Sequence, residues 1–234
     1  MKKCVIIGYG EIGKGLHGFY SKYHKIDIFD IKLKNSDFEK EYDVMLVSIP
    51  YTENFVQIVK EYQKTFKPKA TIIFSTVAIG TTVQIENAVH SPIEGKHPHL
   101  QESIAKWQVF MGGKNDIALG FFIDANKLVY GLDKPEHTEF MKLQSTSNYG
   151  VMIEYARYVD SVCDDIGLDY NAIKTFNMAY NQLYKTMGMP NYQRYILDAP
   201  KGNLGGHCVC GNSKILNEQY PSIFLQEINR DKEA

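Results

Sequence analysis

Cys208 closes a glycine-bearing segment, Gly202-Asn203-Leu204-Gly205-Gly206-His207-Cys208, in a chain that opens with Gly8-Tyr9-Gly10-Glu11-Ile12-Gly13. The first pattern presents a thiol on a flexible loop, and the second reads as a place for a dinucleotide. A hydride acceptor beside a nucleophilic sulfur is what oxidising an alcohol beyond the aldehyde requires. The residues therefore suggest a reaction as well as a fold.

A glycine triplet of this spacing is informative only in context. The apolar run Cys4-Val5-Ile6-Ile7 predicts a short buried strand, the glycines follow at once, and Ile12, Leu16, Phe19 and Tyr20 then share a helical face. Gly8 allows the turn, Gly10 lets the backbone approach a pyrophosphate, and Gly13 permits close packing of helix on strand. The helix N-terminus, at Glu11 and Ile12, then faces the phosphates. A second strand, Ile26-Asp27-Ile28-Phe29, ends at Asp30. A carboxylate there can accept from both ribose hydroxyls and would repel a 2′-phosphate, so NAD is expected over NADP. Lys32 and Lys34 lie close enough to soften that preference.

These residues need a scaffold, and the rest of the chain predicts one. Tyr42 to Ile49 reads as a buried strand stopping at Pro50, Asn54 to Phe66 as a helix, and Ala70 to Phe74 as a fourth strand. Ala88-Val89-His90, Gln108 to Met111 and Leu128 to Tyr130 look like later strands. Strands alternating with helices imply a parallel sheet whose ligands bind at the carboxyl ends of the strands. The cofactor site is therefore expected to include Ser48, Ile49, Pro50, Ser75 and Thr76 beside the glycine turn. From about Glu136 the pattern is helical, with one long helix to Ile166 and another over Asp169 to Tyr184, capped by Asp169. The polar tail after Gln226 is expected to fray. The fold class is α/β, a Rossmann-type doubly wound parallel sheet over residues 1–135 followed by a smaller all-helical domain over 136–234.

Composition narrows the function classes. At 234 residues and a formal charge of −1, without a long basic run, the chain is a poor match for nucleic acid or an anionic membrane surface. No apolar run approaches a membrane span, and Met1-Lys2-Lys3 leads straight into a strand. The four cysteines are scattered, which fits a reducing cytoplasm better than a disulfide framework. His97, His99, His207, Cys208 and Cys210 are of types zinc prefers, but no standard pair spacing is present, and no metal is expected.

By the order of its motifs the chain resembles the UDP-glucose/GDP-mannose dehydrogenase family over roughly residues 1 to 216. Ser75-Thr76-Val77-Ala78-Ile79-Gly80-Thr81 is similar to the family's S-T-V-x-x-G-T loop, and Ser91-Pro92-Ile93-Glu94-Gly95 to its S-P-E segment with one residue inserted. Met111-Gly112-Gly113, Lys142-Leu143 and the stretch Cys163 to Ile173 follow in family order, and Gly205-Gly206-His207-Cys208 matches the G-G-H-C loop. The resemblance implies NAD-linked oxidation of a primary alcohol, on a small molecule such as a nucleotide sugar, through two hydride transfers. It implies Cys208 as nucleophile, Lys142 as the cation beside the developing alkoxide, Thr76 as holder of a water or substrate hydroxyl, and Glu94 as activator of the hydrolytic water.

Some residues depart from the pattern. Thr146 stands where the family has Asn four residues after its lysine, and Asn212 stands where it has the Asp four residues after its nucleophile. An amide cannot accept a proton as a carboxylate does. The family also continues into a further nucleotide-binding domain, where this sequence has a short tail after Leu216. Alternative expectations are a 3-hydroxyacid-dehydrogenase-like enzyme relying on Lys142, or a protein that keeps NAD without turnover. Apolar residues on several sides of the long helix predict a homodimer through the region 140 to 185.

Overall fold

The computed structural model describes residues 1–33, 38–95, 98–201 and 207–230. Seven strands form one sheet in the order β2-β1-β3-β4-β5-β6-β7. They are β1 (Lys3–Ile7), β2 (Lys25–Phe29), β3 (Tyr42–Val47), β4 (Pro68–Ile73), β5 (Ala88–His90), β6 (Val109–Gly112) and β7 (Val129–Leu132). The helices beside them are α1 (Glu11–Tyr20), α2 (Phe55–Phe66), α3 (Leu100–Lys106) and α4 (Asp116–Asp124). The strand order reverses between β1 and β3, the place where open sheets of this kind leave a crevice for a ligand.

The central strands are apolar on both faces because both faces are covered. Along β1, Cys4 and Ile6 join Val44, Leu46 and Ile72 in a core shared with Leu16 and Tyr20 of α1 and Phe121 and Phe122 of α4. The alternate residues Val5 and Ile7 join Met45, Val47 and Ile73 against Phe55, Val59 and Phe66 of α2. The period of two along each strand thus supplies two helix-covered layers, as a doubly wound sheet requires.

One pairing departs from an all-parallel sheet. β6 runs antiparallel to β5, with His90 opposite Gly112, while β7 is parallel to β6. The intervening α3 does not act as a crossover helix. It lies on α1, where Gly15 leaves room for Leu100 and Ile104, and Gly18 leaves room for Gln101. Lys127 closes the end of α3, its Nζ donating to the carbonyls of Ile104, Ala105 and Trp107 at 2.6, 3.0 and 2.5 Å.

By its contacts the chain divides into two units, Met1–Leu143 and Gln144–Ala234. The helix α5 (Pro135–Ile166) runs through that division. Composition placed the boundary at 135/136, where α5 begins. The first turns of the helix nevertheless bond within the first unit, through Thr138 to His90 and through Glu139 to Gly80 and Thr82.

The second unit holds the rest of α5 with α6 (Tyr170–Thr186), α7 (His207–Gln219) and α8 (Ile223–Asn229). Asp169 caps α6 by accepting from Asn171 N–H at 2.9 Å, as its position predicts. A Cβ on Gly150 would meet Val209 of α7 at 2.7 Å and Ile228 of α8 at 2.9 Å, so this glycine within a helix is explained by close approach of its neighbours. Of the tail expected to fray after Gln226, residues 227–229 instead belong to α8, where Leu225 and Ile228 are buried, and residues 231–234 lie outside the described residues. None of the 17 residues of α6 is buried. Among the described residues, no helix is long and apolar enough to cross a membrane.

Candidate functional site

Loops at the carboxyl ends of β1, β3 and β4 are tied into one crevice. Gly8 has φ +93°, a conformation that side chains rarely adopt, and a Cβ there would meet Ser48 O at 2.7 Å. A Cβ on Gly13 would run into the Gly8 carbonyl. The third glycine of the motif therefore makes room for the turn itself. Gly10, the N-cap residue of α1, has open space on its Cβ side. Glu11 is exposed, and Ile12 packs against the core on the α1 face of the sheet.

Ser48 Oγ donates to Gly8 O at 2.9 Å, and Ser75 Oγ donates to Ile49 O at 2.6 Å. Pro50 is exposed and Thr76 half-buried on the same loops. Asp30 Oδ2 accepts from Tyr9 N–H at 2.7 Å and Oδ1 from Lys32 N–H at 2.9 Å. Those two donors hold the carboxyl below the usual carboxylate range. A carboxylate has about four acceptor sites, so it retains capacity for ribose hydroxyls. Lys34 lies outside the described residues.

Lys142, expected as the cation beside an alkoxide, and Glu94, expected to activate a water, lie together in the first unit. Lys142 Nζ donates to Ile93 O at 2.7 Å and stands 3.4 Å from Glu94 Oε2, with the two side chains 15% and 30% exposed. The residue inserted in the S-P-x-E segment thus does not carry Glu94 away from Lys142. Thr138 and Glu139 precede Lys142 by one helical turn and are fully buried. The Glu139 carboxylate accepts from Gly80 N–H at 2.7 Å and Thr82 N–H at 2.8 Å, fastening the loop after β4 to α5. Burial pushes this carboxyl upward, and the two N–H donors oppose the shift.

Cys208, expected on a loop, is in the first turn of α7 and exposed. Residues 202 to 206, the glycine-rich approach to it, lie outside the described residues. Asn212 follows one turn later, 8% exposed, and its Nδ2 donates to Thr146 Oγ1 at 3.1 Å. The two residues that break the family pattern therefore touch each other.

Thr138, Glu139 and His90 are functional candidates that the motifs did not disclose. The available signal for the first two was polarity on the helical stripe that ends at Leu143, a residue with no exposure. Among the described residues, no group of three or more His, Cys, Asp and Glu is placed to hold a metal ion.

No family model matches the sequence, and no curated protein matches it. Solved structures do match in fold. The UDP-D-ManNAc dehydrogenase from Pyrococcus horikoshii is 14% identical, with a TM-score of 0.78 over 99% of this chain and 68% of that one. A UDP-glucose dehydrogenase from the archaeon Pyrobaculum islandicum gives 14% and 0.71 over 100% and 68%. The Mycobacterium tuberculosis 3-hydroxyisobutyrate dehydrogenase solved with L-serine gives 9% and 0.71 over 100% and 93%. At these identities the likeness is one of fold: a Rossmann-like sheet followed by helices, shared with sugar and hydroxyacid dehydrogenases.

Proposed function

We propose that this chain is an NAD-linked oxidoreductase acting on the primary alcohol of a small molecule, of which a nucleotide sugar is the leading class. The observation that carries the reading is the crevice where the strand order reverses. A pyrophosphate fits where Gly10 is open and α1 begins, and a ribose fits at Asp30, whose remaining lone pairs are available. A bound nicotinamide would supply the hydride acceptor.

Lys142, fixed by Ile93 O and Glu94, supplies a positive charge for a developing alkoxide. Thr76 orients a substrate hydroxyl or a water. The Cys208 sulfur adds to the carbonyl carbon of the aldehyde, and the carbonyl oxygen takes up the proton to give a thiohemiacetal. Loss of a hydride and a proton from that adduct leaves a thioester, and water then cleaves the carbon–sulfur bond to return the thiol and the acid. Glu94 is the candidate to activate that water.

A second reading rests on Asn212. Its amide donates to the Thr146 hydroxyl, so the position one turn after Cys208 is neutral. This supports an enzyme limited to one hydride transfer, or a 3-hydroxyacid-dehydrogenase-like reaction relying on Lys142.

The exposed α6 supports a homodimer through residues 140 to 185. Phe176 is 64% and Leu183 54% exposed on a helix that buries nothing in a single chain. Four cysteines without a disulfide support a reducing, cytoplasmic setting.

Incubation with NAD and a panel of UDP-sugars, GDP-mannose and small hydroxy acids, followed by reduced-cofactor absorbance, tests the activity. Cys208→Ser should abolish acid formation while NAD binding persists, and an unchanged acid yield removes the thiol from the mechanism. Aldehyde as the final product of the native chain favours the single-transfer reading. Tight NAD binding without turnover of any substrate favours a catalytically attenuated NAD-binding protein.

A further inference from the structure

His90 ends β5 with no solvent exposure and bonds through both ring nitrogens. Nε2 lies 3.2 Å from Ser75 O, and Nδ1 lies 2.8 Å from Thr138 Oγ1. A carbonyl can only accept, so Nε2 carries the proton and Nδ1 is left as the acceptor facing the Thr138 hydroxyl, whose one proton also has Pro135 O at 2.9 Å and His90 O at 3.3 Å within reach. With the hydroxyl turned to Nδ1, the neutral ring is satisfied at both ends. Gly112, opposite His90 on β6, is a glycine because a Cβ there would run into Thr138 Oγ1.

The partners of the ring matter more than its burial. Ser75 is the residue whose hydroxyl holds Ile49 O, and it precedes Thr76. Thr138 lies one turn before Lys142 on α5. A run of hydrogen bonds therefore passes from the loop after β3, through the loop after β4 and the imidazole, to the helix that carries Lys142.

We infer that His90 is a positioning residue that clamps the Ser75-Thr76 peptide to α5 and so sets the shape of the cofactor crevice. This rests on the NAD reading above. The ring does not touch the cofactor, and it acts through the Ser75 carbonyl. Burial, with the charge of Lys142 adding to it, keeps the imidazole neutral through the physiological range.

Two substitutions separate the two ends of the clamp. Gln at 90 places its amide nitrogen near the Nε2 position and keeps the bond to Ser75 O, whereas Asn places its oxygen near the Nδ1 position and keeps only Thr138. Calorimetric titration with NADH should show an affinity about tenfold weaker for His90→Asn and within about twofold of wild type for His90→Gln, the difference expected for one hydrogen bond. Equal losses in both variants, or none in either, overturn the inference. A wild-type chain without affinity for NADH overturns the NAD reading and this inference together, whereas wild-type binding with unresponsive variants overturns only this one. If His90→Asn does not fold, ring ¹⁵N resonances of the wild type decide. The Nε2–H tautomer should be present and its signal should move as NADH is added; an Nδ1–H tautomer or an unmoved signal counts against the clamp.

Discussion

The helix α2 has 12 residues and buries Phe55, Val59 and Phe66, whereas α6 has 17 and buries none, although Phe176, Met178 and Leu183 lie along it. The first unit covers both faces of its sheet with its own helices. In the second, packing is concentrated where α7 and α8 meet α5 near Gly150, and apolar area on α6 is left over. The crevice at the reversal of strand order is built from within the first unit, while the helical unit leaves apolar side chains of α6 exposed, the area that the proposed homodimer would cover.

The contrast can be pressed hardest through glycine. Gly13→Ala drives a Cβ into the Gly8 carbonyl and should cost about 2–4 kcal/mol of stability and abolish NAD binding, read by urea denaturation and calorimetry. Gly167→Ala in the second unit meets no neighbouring atom and faces only the strain of φ +71°, so about 1 kcal/mol is expected. Comparable losses for the two variants would erase the distinction.

Proton linkage should come next in size, with its buried histidine contribution in the first unit. His90 titrates near 4 in the folded chain against 6.5 for the free group, because burial disfavours the charged ring. Between those values the unfolded chain binds the proton and the native chain does not. The contribution is therefore present above pH 6.5 and lost as pH falls through 4, about 3 kcal/mol in all. Urea denaturation at pH 7 and pH 4.5 should show a smaller loss for His90→Gln than for wild type, and the same slope in both would remove the linkage from His90.

Charge on α6 tests the other side of the comparison. Phe176→Glu with Leu183→Glu should shift the chain from dimer to monomer in light scattering while leaving NADH affinity within about twofold. A monomeric wild type at micromolar concentration would remove the dimer. The smallest effect is expected at Lys127→Met, which uncaps the three carbonyls at the end of α3 and should cost about 1 kcal/mol in thermal denaturation.

The glycine turn was legible because its information is local. A strand, a turn that needs positive φ at Gly8 and a helix packed against that turn at Gly13 lie within twenty residues. The α5 and α6 helices were legible for the same reason, through an uninterrupted helical pattern and a capping Asp169. The antiparallel β6 was not, since β-strand patterning carries no direction and the sense of the strand followed from where α3 docks. The last turn of α8 was not legible, because the residues after Gln226 are mostly polar and the burial of Leu225 and Ile228 that holds the helix follows only from packing.

Residue type and local spacing determined by themselves which side chains have the chemistry to be candidates and which segments are strand, turn or helix, because hydrophobic periodicity and backbone sterics act over a few residues. Tertiary structure alone decided that Asn212 would meet Thr146 across 66 positions and that His90 would meet Thr138 across 48. It also decided that Lys142 would settle beside Glu94. Such pairs form where packed elements bring distant positions into hydrogen-bond range, and burial then makes each partner necessary to the other.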